Sequence, residues 1–96
     1  MPALTLTSPR RRPLRPLVED ALENELRLLQ AGIQRTKNRL QAFEAEYELS
    51  TQEFLRRYEN DELPETLAFA EWVGEHRMLE RLREKAETLR EIRFAD

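Results

Sequence analysis

Paired carboxylates are the first residues to test for chemistry, because two of them one helical turn apart can hold a divalent metal ion or divide acid and base roles. Glu62 with Glu65, and Glu84 with Glu87, have that three-residue spacing. Set on facing helices, two such pairs could hold a divalent metal ion. Against this, Glu62 and Glu65 straddle the helix-breaking Pro64, and a chain with 19 acidic residues contains such spacings by chance. Other constellations fail on composition. A di-iron bundle needs a Glu three residues before a His, and the residue three before His76 is Val73. The chain has one His and no Cys, which excludes a paired-His zinc site and thiolate chemistry. Its serines, Ser8 and Ser50, stand in no nucleophile motif. These residues predict no catalytic site, no metal and no cofactor, and therefore a protein that is not an enzyme.

The pattern of apolar residues sets the elements that position everything else. Leu22, Leu26, Leu29, Ile33, Thr36, Leu40, Phe43 and Tyr47 alternate in steps of four and three, a heptad seam that predicts a helix over residues 18–48, roughly 45 Å long. Ser50 with Glu53 has the spacing of a capping box and predicts a short helix over 51–59. Asn60, Asp61 and Pro64 mark a break, with Pro64 suited to the first turn of a last helix reaching about Arg93. That helix carries Leu67, Trp72, Val73, Met78, Leu79, Leu82, Ala86, Leu89 and Ile92. Two stripes of similar length joined by a short connection predict an all-α fold, a long antiparallel two-helix hairpin with a short connecting helix. In this register Leu29 faces Leu89, Leu40 faces Met78 and Tyr47 faces Phe69, while Gly74 and Gly32 face Ala42 and Ala86 to permit close approach. At 96 residues the core is thin, so the seam is also expected to drive self-association into a homodimer, bundle or coiled coil.

Residues 1–16 differ from the rest in composition. Pro2, Pro9, Pro13 and Pro16 predict an extended arm, leaving 17–96 as the hairpin domain. Arg10, Arg11, Arg12 and Arg15 give the arm +4, against −7 for the remainder. A basic arm could contact nucleic acid or an acidic partner, but the acidic body repels phosphate. Within the arm, residues 3–7 alternate as a short strand would, so a free tail and a docking strand both stand open. No apolar run is long enough for a bilayer, and the start of the chain lacks the apolar region of a secretory signal, so a cytoplasmic protein is expected.

The segment from Phe43 to Trp72 combines an aromatic helix end (Phe43, Tyr47) with Ser50, Glu53 and Phe54, then Glu62-Leu63-Pro64, Glu65, Thr66 and the pair Glu71-Trp72. In this order it resembles a family of small helical bacterial and archaeal proteins encoded beside a toxin-like gene. The resemblance implies an antitoxin-like component of a two-gene toxin–antitoxin module, which neutralises a cognate protein toxin by forming a complex with it. Glu48 stands where that family has Gly, and Asn60-Asp61 where Gly often precedes Glu-Leu. The partner-binding residues under this reading are Phe54, Arg56, Arg57, Tyr58, Phe69 and Trp72, since partly exposed Trp, Tyr and Arg are favoured interface anchors. The same aromatics could instead be a hydrophobic plug closing the hairpin tip. Two other functions compete. One is a DNA-binding transcriptional regulator acting through the arginine arm, and the other is an Mg²⁺-dependent hydrolase, whose acidic pairs resemble those of all-α nucleotide pyrophosphohydrolases.

Overall fold

A computed structural model describes residues 3–4 and 14–94 of the chain. Arg10, Arg11 and Arg12 lie outside the described residues. Three helices run in order, α1 (Leu14–Tyr47), α2 (Thr51–Glu59) and α3 (Leu67–Arg90), and two-residue strands flank them, β1 (Ala3–Leu4) and β2 (Arg93–Phe94). The strands pair in parallel, Ala3 with Arg93 and Leu4 with Phe94. Helices α1 and α3 pack antiparallel along an elongated body of 61 × 21 × 18 Å. The fold is the all-α hairpin that the two apolar stripes predict.

Boundaries follow the local chemistry, with three departures from the expected ones. Helix α1 begins at Leu14, so Arg15 and Pro16 are helical where an extended arm is expected. Pro16 falls in the first turn, where a missing amide donor breaks no intrahelical bond. Helix α3 begins at Leu67, three residues after Pro64, because Thr66 is the N-cap and its hydroxyl accepts from the Phe69 amide at 3.1 Å. Its end at Arg90 falls short of Arg93, whose backbone is in β2. Helix α2 has the predicted bounds, with the Ser50 hydroxyl accepting from the Glu53 amide at 3.1 Å. Both turns use a left-handed residue, Glu48 at φ 51° and Asp61 at φ 56°. Glycine adopts this conformation without a Cβ clash, and neither position has one.

The seam packs as a heptad, though one residue out of the expected register. Trp72, Leu79 and Ala86, seven residues apart, are the buried positions of α3, and Leu29, Thr36 and Leu40 lie buried on α1. Leu22, Leu26, Ile33, Phe43, Leu82 and Leu89 are half-buried beside them. Tyr47 meets Phe69 as expected, their ring centroids 5.1 Å apart. Leu79 rather than Met78 joins Leu40 in the core, because a one-residue step rotates a side chain by about 100° and leaves Met78 42% exposed. A Cβ on Gly32 would meet Leu82 Cδ1 at 3.4 Å, so the close approach is to Leu82 and not Ala86. A Cβ on Gly74 would meet nothing within 4 Å, and both Gly74 and Ala42 are exposed. The expected Gly74–Ala42 approach is therefore absent.

Two stability changes follow. Leu79→Ala removes a side chain from the middle of a six-residue core and should lower the unfolding free energy by about 2–5 kcal/mol in urea titrations. Gly74→Ala fills open space on a helix and should raise it by up to about 1 kcal/mol. A destabilising Gly74→Ala would show that the open face has been misplaced.

Candidate partner-binding surface at the hairpin tip

The tip is built around Trp72, which is fully buried, as is Phe54. Their rings stack with centroids 3.8 Å apart and planes 2° from parallel. Phe43 stacks on Trp72 from α1 at 5.4 Å and 8°, and Tyr47 lies 5.8 Å away at 26°. Phe69 and Tyr58 pack against Phe54 at 5.3 and 5.5 Å. A buried indole needs an acceptor for its one N–H. Thr51 supplies it, its hydroxyl accepting from Trp72 Nε1 at 3.0 Å, both groups buried. The Thr51 amide in turn donates to the Glu44 carboxylate of α1 at 2.8 Å, so an α1 side chain satisfies a free amide at the start of α2. Neither Thr51 nor Glu44 is among the residues that sequence reasoning singles out. The signal was present in a Trp that had to be buried, and hence had to find an acceptor near a cap.

This geometry divides the expected partner-binding residues into two groups. Phe54 and Trp72 close the tip as a plug and present no surface, so the expectation of a partly exposed Trp is corrected. Phe69 and Tyr58 are half-buried at its edge. Arg56 and Arg57, on the outer side of α2, remain accessible, their side chains 52% and 43% exposed. Arg56 is held by three hydrogen bonds to Glu53, of 2.8 to 3.1 Å, and by a fourth to Glu62 at 3.1 Å. Arg57 Nε also donates to Glu53, at 3.0 Å. Instead of closing the capping box, the Glu53 carboxylate therefore serves two guanidinium groups. The Arg56 guanidinium, and then that of Arg57, hold the Glu53 carboxyl down at about 2, and the same contact pushes Arg56 up from its ordinary value.

The remaining candidate residues are placed as follows. Arg15, in the first turn of α1, forms an ion pair with Glu19 at 2.7 Å. His76 is half-buried and lies 3.2 Å from Glu80. Glu62 is engaged by Arg56, and Glu65, Glu84 and Glu87 are exposed. Among the described residues no group of three or more acidic or His side chains is placed to hold a metal ion. A groove of about 450 Å³ runs between α1 and α3 on one face, lined by Arg39, Ala42, Phe43, Glu46, Glu71 and Glu75, with Arg39 and Glu75 paired at 3.0 Å.

Glu53 makes the tip acid-sensitive in a defined direction. Its folded value lies below the 4.5 of the free side chain, so its contribution to stability is complete above about pH 4.5 and is lost as the pH falls towards 2. Urea midpoints of the protein and of Glu53→Gln should differ at pH 7 and converge by pH 2. A gap that persists at pH 2 would point to a cause other than this ion pair. Comparison with known proteins finds no family model, no curated protein and no solved structure that matches the chain.

Proposed function

We propose that the chain is an antitoxin-like binding protein that neutralises a cognate protein toxin by forming a complex, with the outer surface of α2 as the gripping patch. The observation that carries this reading is Arg56, an exposed guanidinium fixed by four hydrogen bonds on the outer side of α2. A side chain already held in one geometry loses little conformational entropy on binding, and Arg is a favoured interface anchor. The aromatic plug beneath serves as the rigid floor of the patch, which is a different role from that of contact residues. The ordered features from Phe43 to Trp72 supply the antitoxin reading itself, through the family they resemble. The −7 charge of residues 17–96 suits a partner with a basic active surface, such as a toxin that acts on RNA. The same charge weakens the rival reading of a DNA-binding regulator, since an acidic body joined to the arm repels phosphate.

The test is co-expression with the small reading frame adjacent to the gene. Its product should arrest growth alone and be neutralised by this chain, and the two should co-purify. Arg56→Glu should abolish rescue while the helical circular dichroism stays unchanged. A non-toxic neighbour, or full rescue by Arg56→Glu, would defeat the proposal.

A further inference from the structure

Once the seam is closed within the chain, α1 still carries a second line of exposed residues, apolar except for Asn24. Leu17, Ala21, Asn24, Leu28 and Ala31 follow one another in steps of four, three, four and three, and all are exposed. Leu17 is 64% and Leu28 61% exposed. Leu28 precedes Arg39 by 11 residues, three full turns, and Met78 follows Glu75 by three. Both therefore lie on the face that carries the Arg39–Glu75 groove, with half-buried Leu82 and Leu89 between the helices. Among the described residues, three of the five exposed large hydrophobic side chains are on this face.

We propose that this face binds a second copy of the chain, giving an antiparallel four-helix bundle with its two-fold axis near Leu28. Area is the first argument. Helix α1, with 34 residues, is about 51 Å long, and packed beside α3 it gives a face broad enough for the about 800 Å² that a standard interface takes from each partner. Symmetry is the second. Leu28 lies near the middle of α1, and a two-fold axis there sets residue n near residue 56 − n of the partner, so the Leu17 region of one copy meets the Met78 region of the other. Charge is the third and fixes direction. Residues 19–25 hold four acids and no base, and 27–39 hold four bases and no acid. The antiparallel pairing sets these blocks against each other, with Asp20 beside the second copy's Arg35. A parallel pairing would instead stack the two grooves, each net −2 from Arg39, Glu46, Glu71 and Glu75, on one another. This interface is on a different surface from the α2 patch, so it stands independently of the toxin-binding reading.

The chain has no cysteine, so one introduced thiol reports the contact directly. In the full chain under mild oxidation, Leu28→Cys should form a disulfide-linked dimer, because a residue on a two-fold axis meets its own copy within disulfide reach. Gln30→Cys, exposed on the opposite side of α1, should form it at least tenfold more slowly. Light scattering at tens of micromolar, an ordinary range for a protein assembly, should give twice the chain mass for the unmodified protein. Leu28→Glu should give the monomer mass with unchanged helical circular dichroism, since Leu28 is exposed in the hairpin. Asp20→Arg and Arg35→Asp should each weaken the dimer, and the double variant should restore it. A monomeric unmodified protein, equal cross-linking at positions 28 and 30, or an intact dimer in Leu28→Glu would each overturn the proposal.

Discussion

The contact between Trp72 and Phe54 is the interaction on which the hairpin tip rests. A nine-residue helix is too short to persist alone in water, and α2 is held because its Phe54 stacks face to face on an indole fixed by α3. The indole is fixed in turn by a hydrogen bond to Thr51 at the start of that same short helix. Each element thus supplies the other with what it lacks. α2 gains an apolar partner, and the indole gains an acceptor for its one N–H. Elsewhere the hairpin has only scattered buried side chains, and the two largest of its fully enclosed ones are this pair.

Much of this was legible in the residues, where a local rule acted alone. Ser50 and Glu53 marked the start of α2, and the four-and-three steps of leucines marked both long helices. Tyr47 opposite Phe69 followed from the shortness of the connection. What could not be read was decided by competition between neighbours. Met78 and Leu79 are both good core residues, and the choice fell to Leu79 because Trp72 fixes the phase of the stripe seven residues earlier. Pro64 and Thr66 can each open a helix, and the cap hydroxyl of Thr66 decided the outcome. The same limit applied to the aromatic cluster, where residue type alone does not distinguish a plug from an anchor. Burial does, and it assigns Phe54 and Trp72 to the interior while leaving Arg56 and Arg57 outside.

Charge organises the surface more finely than the net value suggests. Glu53 and Glu62 do not simply neutralise Arg56. They fix its orientation, and Glu53 holds Arg57 as well. Glu44 uses its carboxylate to satisfy a helix start in place of an opposite charge. Exposed pairs of this kind are screened by solvent and contribute little to stability. Their effect here is geometric, since they turn flexible side chains into fixed ones on a tip already made rigid by stacked rings.

The placement of the densest packing at the turn has a consequence for how the chain folds. Its aromatic and polar anchors lie between Phe43 and Trp72, close together in sequence, whereas contacts such as Glu25 with Lys85 join residues sixty positions apart. Closing the tip requires only a short loop, and each further contact then extends an existing pair of helices by one turn instead of closing a new loop. Assembly therefore runs as a zipper from the tip towards the chain ends, and opening runs in reverse. Backbone amides near Leu14 and Arg90 should therefore exchange with solvent before those around Trp72, which leaves the base of the hairpin as the part to be remodelled without loss of the tip.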